Sequence, residues 1–260
     1  MKKIVIIGAG FGGLTVAKEL AKKEFEITLI DKTNHHLFQP LLYQVATAAL
    51  SPADIAIPIR SVFSENKNVE VLLGEVKSIE REKKKVYFNG SELDYDYLVI
   101  ATGSRHSYFG KDEWEKYAPG LKTLNDALKI REKILLSLEA AELEKDPVRK
   151  QKYLNFVIIG GGPTGVELAG AISEIVNKNL IPDFRNIDAK MTKVYMIEAL
   201  PNILSSYPEK LSQKALEDLK KLEVEVILKE RVTEINENGV KLSNRFIESK
   251  NILWAAGNQT

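Results

Sequence analysis

Two glycine-rich turns constrain most strongly what this chain of 260 residues can fold into. Each turn, IVIIGAGFGG at 4–13 and FVIIGGGPTGVE at 156–167, lies between a run of β-branched residues and a helical pattern. Such runs form strands that are buried on both faces of a parallel sheet. The helix that follows has free N–H groups and a dipole that attract a pyrophosphate. Two turns of this kind predict that the chain binds two dinucleotides.

The first turn has the residues that dinucleotide binding requires. Gly8 begins the tight turn, Gly10 lets the backbone approach a pyrophosphate, and Gly13 allows the helix to pack closely on the strand. A second strand, predicted at 26–30, leads to Asp31. An acid at about 20 residues from the turn accepts hydrogen bonds from a ribose, so Asp31 is the candidate ribose ligand.

The second turn repeats the pattern through Gly160, Gly162 and Gly165, and its strand-end acid is Glu198. Glu198 lies further along the sequence from its turn than Asp31 does from the first turn, because residues 178–192 are inserted before its strand. A carboxylate there repels a 2′-phosphate, so we predict NADH rather than NADPH. The alternatives are a simple strand-to-helix connection for either turn and a solvated side chain for either acid. Two complete units in order favour binding.

The composition is that of a globular protein, with 44% hydrophobic and 28% charged residues. A formal net charge of +1 argues against a nucleic-acid partner. The absence of cysteine excludes disulfide-reductase and thiol-peroxidase chemistry, structural disulfides and cysteine-ligated clusters. Three histidines without metal-ligand spacing predict no metal site. No signal peptide and no apolar run of about 20 residues is visible, which predicts the cytoplasmic side with at most peripheral membrane contact.

The pattern of elements predicts an α/β fold made of two Rossmann-like domains. We predict three segments: a first α/β unit at 1–110, a connector at 111–152 and a second unit at 153–260. Helical patterns at 125–145 and 164–177 lie in the connector and after the second turn, and Leu128, Leu135, Leu138 and Leu143 are the candidate packed face of the former.

The ends of the two units also correspond. Strand patterns at 97–100 and 251–254 each lead into a turn of small residues, ATG at 101–103 and AAG at 255–257. Small residues allow a bound nucleotide to approach the backbone. The chain therefore reads as an internal duplication of one nucleotide-binding plan.

The chain resembles the type II NADH dehydrogenases, flavoproteins that pass electrons from NADH to a membrane quinone without pumping protons. Four stretches carry the resemblance: NHHLFQPLLYQVATAALSPADIAIPI at 34–59, VIIGGGPTGVELAGAISEI at 157–175, LIPDFRNID at 180–188 and WAAG at 254–257. The resemblance implies the two-dinucleotide-binding flavoprotein fold. Members of the family continue further, so the FAD domain is expected to be incomplete here.

The resemblance also implies a set of residues that contact FAD in the first unit. These are Gly8, Gly10, Gly12 and Gly13 at the pyrophosphate, Asp31 at the ribose, Val76 beside the adenine, Pro40 and Gln44 along the isoalloxazine, and Thr102 and Gly103 over the cofactor. Without the resemblance, the apolar residues of 38–43 read as ordinary core. His35 and His36 are predicted loop residues with no role in proton transfer.

The resemblance also implies that the second unit binds NADH. Glu167 would lie beside the nicotinamide and the flavin and is the predicted catalytic residue; the alternative is an acid that complements the helix dipole. Ala256 and Gly257 would lie against the nicotinamide.

The predicted function is hydride transfer from NADH to FAD, followed by transfer of two electrons to a membrane quinone. The alternatives are a soluble NADH-dependent reductase of a small electron-transfer protein and an inactive nucleotide-binding fragment. The predicted partners are NADH and quinone, with membrane contact through a C-terminal segment that is absent here. The predicted location is the cytoplasmic side, peripheral on the inner membrane in the full-length family, with this chain alone soluble. The sequence leaves a homodimer open.

Overall fold

A computed structural model of the chain describes residues 1–176 and 183–259. The end of the predicted helix at 164–177 and the first residues of the segment 180–188 therefore lie outside the described residues. By its contacts the chain divides into two compact units. The first comprises Met1–Phe38 and Pro52–Ser104, and the second comprises Gln39–Ser51 and Arg105–Gln259.

The elements up to residue 106 are, in chain order, β1 (Lys2–Ile7), α1 (Phe11–Leu20), β2 (Phe25–Asp31), β3 (His35–Leu37), α2 (Leu42–Ala46), α3 (Pro52–Ile55), β4 (Ala56–Pro58), α4 (Ile59–Val62), β5 (Val69–Leu73), β6 (Val76–Glu80), β7 (Lys85–Phe88), β8 (Ser91–Asp94), β9 (Tyr97–Ile100) and β10 (Arg105–His106).

After residue 106 the described elements are α5 (Leu124–Leu143), α6 (Pro147–Leu154), β11 (Asn155–Ile159), α7 (Pro163–Glu174), β12 (Lys193–Glu198), α8 (Glu209–Lys221), β13 (Val224–Leu228), β14 (Glu234–Asn236), β15 (Gly239–Lys241), β16 (Phe246–Glu248), β17 (Asn251–Trp254) and β18 (Asn258–Gln259).

The first unit is built on a parallel sheet with the strand order β5-β2-β1-β9. The last residues of β1 are buried, and Ile6 and Leu29 from β1 and β2 pack with Ala17 of α1 in one core. The strands β6, β7 and β8 form a separate antiparallel sheet. The carboxyl ends of β1 and β2 lie at the same sheet edge, which brings the first glycine turn and the strand-end acid together.

The second unit repeats this plan. Its parallel sheet has the strand order β13-β12-β11-β17, and β14, β15 and β16 form an antiparallel sheet. Every residue of β11 is buried, as expected for a central parallel strand. The two sheets confirm the predicted α/β fold with two Rossmann-like halves.

The contacts group two segments differently from the predicted bounds 1–110, 111–152 and 153–260. Residues Gln39–Ser51 belong to the second unit, where α2 packs against α5 and α7. The connector helix α5 belongs to the same unit.

Two predictions about local packing were wrong. The helix α5 buries Ala127, Ile130, Ile134, Leu138 and Ala141. Leu138 is buried as predicted, but Leu128 and Leu143 are exposed because they lie off the helix face that the buried residues form. His35 and His36 both lie in the strand β3 and not in a loop, and His36 is buried.

Candidate functional site

The first glycine turn connects β1 to α1 and leaves the start of the helix open. Gly8 has φ +97°, and a Cβ there would collide with the carbonyl of Ala101. A Cβ on Gly13 would collide with the carbonyl of Gly8. A Cβ on Gly10 would have no heavy atom within 4 Å, and α1 has no side-chain cap on its N-terminal N–H groups. The turn is therefore packed tightly on the protein side and open where a pyrophosphate would bind.

The second glycine turn, between β11 and α7, has the same construction. Gly160 has φ +114°, and its Cβ would lie 2.7 Å from the carbonyl oxygen of Ala255. A Cβ on Gly165 would collide with the carbonyl of Gly160, whereas one on Gly162 would meet no heavy atom within 4 Å. The N-terminus of α7 also lacks a side-chain cap.

The acid at the end of β2 holds the first turn in place. The Oδ2 atom of Asp31 accepts a hydrogen bond from the backbone N–H of Ala9 at 2.6 Å. Its Oδ1 atom accepts from the backbone N–H and the hydroxyl of Thr33, each at 2.7 Å. The sequence predicted a ribose contact for Asp31 but did not predict that this carboxylate fixes the N–H of Ala9, the middle residue of the turn.

Glu198, at the end of β12, does the same for the second turn. Its Oε2 atom accepts from the N–H of Gly161 at 2.6 Å, and its Oε1 atom accepts from the N–H of Leu200 at 2.8 Å. Both predicted acids therefore lie directly beside their glycine turns. The two halves share this arrangement in detail, including the bond to the residue two positions beyond the acid.

Each turn opens into a cavity of its own unit. The first cavity, of about 380 Å³, includes four predicted residues in its lining: Gly8, Asp31, Val76 and Thr102. The second cavity, of about 770 Å³, includes five: Gly160, Gly162, Glu198, Ala256 and Gly257. The folded chain thus brings together predicted residues that are far apart in sequence.

Several predicted residues line neither cavity. Pro40 is exposed, and Gln44 donates from Nε2 to the hydroxyl of Tyr43 at 3.0 Å. Gly103 has φ +72° just beyond β9. Glu167 lies in the first turns of α7 with an exposed side chain, and partial desolvation of its carboxyl group raises its pKa. Gly10, Gly12, Gly13 and Gly165 also line neither cavity, and the roles assigned to all the predicted site residues stay predictions.

The larger cavity is also lined by an aromatic cluster that the sequence did not predict. Trp254 stacks on Tyr108 with ring centroids 4.9 Å apart, and Trp114 lies 5.8 Å away. The indole N–H of Trp254 donates to the carbonyl of Ser107 at 3.0 Å. Contacts between residues about 150 positions apart leave no periodic signal in the sequence. Both tryptophans of the chain line this cavity, which makes tryptophan emission a probe of it.

Charged groups around the same cavity were not predicted either. Lys111, Glu230 and Arg231 line it with Glu198. The only bond to the Glu230 carboxylate within the described residues is a long one, at 3.4 Å from the N–H of Ser243. Among those residues, no group of three or more acids or histidines could hold a metal ion, and no helix is long and apolar enough to span a membrane.

Comparisons with known proteins agree with this geometry. The family model of the pyridine nucleotide-disulphide oxidoreductases matches residues 2–260. A type II NADH:quinone oxidoreductase of Mycobacterium tuberculosis is 44% identical over 98% of this chain and 57% of its own length. The corresponding enzyme of Staphylococcus haemolyticus is 32% identical over 98% of this chain and 64% of its own length.

A solved structure supports the same relationship. The structure of NDH2 from Plasmodium falciparum in complex with NADH superimposes with a TM-score of 0.94 at 28% identity. It covers the whole of this chain, which in turn covers 56% of that protein. The chain therefore spans somewhat more than half the length of these relatives, and the predicted resemblance to type II NADH dehydrogenases is confirmed.

Proposed function

The chain belongs to the pyridine nucleotide-disulphide oxidoreductases, and we propose that it carries out the NADH-oxidising half of an NADH:quinone oxidoreductase reaction. In this proposal the first unit binds FAD and the second binds NADH. Bound FAD supplies an acceptor for a hydride and a donor of two electrons to quinone. The chain itself supplies binding, orientation and the exclusion of water.

The observation that carries the proposal is the pair of open turns. In each turn two glycines are required by contacts within the protein, whereas Gly10 and Gly162 face open space. Packing gives no reason for a glycine at these two positions, but the close approach of a pyrophosphate does. The uncapped helix N-termini beside them supply the N–H groups and the dipole that an anion requires.

The second unit has the groups expected for NADH. Glu198 lies in the larger cavity, where its carboxylate disfavours a 2′-phosphate. Ala256 and Gly257 keep part of the wall free of long side chains, so a nicotinamide can lie flat against it. Glu167 is proposed to lie beside the nicotinamide, and partial desolvation raises the pKa of its carboxyl group above the ordinary value of a glutamate.

The remaining assignments rest on the family resemblance of the sequence motifs. We propose that Gly12, Gly13 and Gly103 contribute to the FAD site, that Pro40 and Gln44 lie along the isoalloxazine, and that Gly165 supports the NADH turn. Quinone as the acceptor and peripheral contact with the membrane are proposed on the same basis. The 44% identity to a type II NADH:quinone oxidoreductase favours this function over the other two predicted functions.

Substitution of the two open glycines tests the proposal. The methyl group that Gly162→Ala adds meets no protein atom within 4 Å but lies where the pyrophosphate is proposed to bind. We therefore expect normal folding and at least about tenfold weaker NADH binding. NADH binding is measured by energy transfer from Trp114 and Trp254. Gly170→Ala, with only an ordinary contact of 3.5 Å, is the control in the same helix.

Gly10→Ala is the matching test for FAD. We expect it to fold and to lose the flavin absorbance that the unaltered chain retains on purification. Anaerobic NADH should bleach that absorbance in the unaltered chain. Equal binding of both nucleotides by the alanine variants and the unaltered chain would contradict the proposed sites.

A further inference from the structure

The middle residue of the first glycine turn, Ala9, is held through both of its peptide groups. The N–H of Ala9 donates to Asp31, and the carbonyl of Ala9 accepts a hydrogen bond from Nδ1 of His36 at 2.9 Å. A carbonyl oxygen can only accept, so Nδ1 carries the proton in this bond. Ala9 itself is buried, which leaves little solvent to replace either bond if it is lost.

The imidazole of His36 is itself fixed by its surroundings. His36 lies in β3, paired with Ile57 of β4 in an antiparallel register, and only 8% of its surface is exposed. Its ring meets the ring of Phe11 edge to face, at 5.2 Å between centroids and an interplanar angle of 88°. Phe11 is the first residue of α1. The ring therefore contacts both the middle of the turn and the first residue of the helix.

The second turn has the same two-sided support from a different group. The N–H of Gly161 donates to Glu198, and its carbonyl accepts from the backbone N–H of Leu204 at 2.7 Å. Both copies of the turn thus anchor the N–H on a strand-end acid and the carbonyl on a separate donor. This recurrence indicates that the turn requires a donor to the carbonyl of its middle residue. In the first unit this donor is the side chain of His36, whereas in the second it is the backbone N–H of Leu204.

We propose that His36 is a positioning residue of the FAD site. Its Nδ1–H holds the carbonyl of Ala9 away from the pyrophosphate and keeps the N–H groups at the start of α1 directed at it. Without this bond the peptide group between Ala9 and Gly10 is free to rotate and to present its carbonyl oxygen to an anion. The inference rests on the proposed binding of FAD by the first unit.

Two substitutions of His36 separate the hydrogen bond from simple packing. His36→Leu removes the donor, and we expect the dissociation constant of FAD to rise about tenfold, the effect of one lost buried hydrogen bond. His36→Asn places an amide N–H as many bonds from Cβ as Nδ1, so FAD binding should recover to within about twofold of the unaltered chain. The affinity for NADH, measured through Trp254 in the other unit, should not change in either variant.

A readout at the pyrophosphate tests the mechanism directly. The phosphorus NMR resonances of bound FAD should shift in His36→Leu and return in His36→Asn. Val71→Ala removes buried methyl groups from the core of the same unit without touching the turn, and it should leave the FAD affinity and these resonances unchanged.

Each outcome has one meaning. An unaltered chain that binds no FAD refutes the proposed function itself. FAD binding by the unaltered chain and equal binding by His36→Leu refute the role of His36 alone. Weaker binding in Val71→Ala to the same extent as in His36→Leu also refutes it, because the effect would then come from loss of stability.

Discussion

Replacing Glu198 by glutamine should destabilise the second glycine turn without removing any packing. The carboxylate of Glu198 accepts from the N–H groups of Gly161 and Leu200 at 2.6 and 2.8 Å. An amide has one oxygen, so it can satisfy one of these donors but presents its own N–H₂ group to the other. A hydrogen bond to a charged group contributes about 1.5–3 kcal/mol, so we expect a loss of about 2 kcal/mol for a half-buried site.

Urea unfolding monitored by tryptophan emission measures this effect where it occurs, because Trp114 and Trp254 both belong to the second unit. Glu230→Gln is the matched control. It removes one negative charge from the same cavity, but the carboxylate accepts only the long bond from Ser243 within the described chain. We expect a change of at most about 0.5 kcal/mol for this control.

Nucleotide preference provides a second readout. Glu198→Gln removes the charge that opposes a 2′-phosphate, so binding of NADPH should strengthen relative to binding of NADH. If Glu198→Gln and Glu230→Gln lower the free energy of unfolding equally, the reasoning from the two backbone bonds is wrong. If they change the nucleotide preference equally, the position of Glu198 has no special role in the preference.

Three further predictions concern a glycine in contact with the backbone, a residue with positive φ and a buried lysine. In α7, Gly165→Ala should lower the free energy of unfolding by more than about 3 kcal/mol, because its Cβ collides with a backbone carbonyl. Gly170→Ala, in the same helix, should raise it by up to about 1 kcal/mol. Thermal unfolding compares the two variants. Ala48 follows α2 with φ +63°, so Ala48→Gly should stabilise by about 0.5–1 kcal/mol, whereas Ala46→Gly within the helix should destabilise; urea unfolding measures both. Burial lowers the pKa of Lys133 to about 8, so the folded chain binds this proton more weakly than the unfolded chain and gains stability as the pH rises from about 8 to 10.5. Lys133→Met lacks this gain, and its stability relative to the unaltered chain should fall over that range in unfolding curves at several pH values.

Features set by short-range pattern could be predicted from the sequence. The strands predicted at 97–100 and 251–254 begin and end where the sequence indicates, because each is a short apolar run that leads into a turn of small residues. The glycines and strand-end acids could be placed because their spacing is fixed by the strand-turn-helix geometry.

Features that depend on distant contacts could not be predicted. The leucine spacing alone does not locate the packed face of α5, because Ala127 and Ala141 belong to that face whereas Leu128 lies beside it. The sequence does not indicate the strand that contains His36, because this strand has only three residues and its partner, β4, lies about 20 residues further on. The aromatic cluster around Trp254 joins segments that share no local pattern.

The two copies of the turn differ in their middle residue and in the length of the acid that accepts its N–H. Ala9 in the first turn packs its methyl group into the core and is paired with the shorter acid, Asp31. At the equivalent Gly161 a Cβ would lie 2.9 Å from a side-chain atom of Ile203 and 3.0 Å from Oε2 of the longer acid, Glu198. The size of the middle residue and the length of the acid therefore vary together, while the hydrogen bond between them is kept at 2.6 Å in both units. Both copies hold the N–H of the middle residue by a hydrogen bond to the strand-end acid. The acid therefore fixes the backbone conformation of the turn even before a ribose is bound.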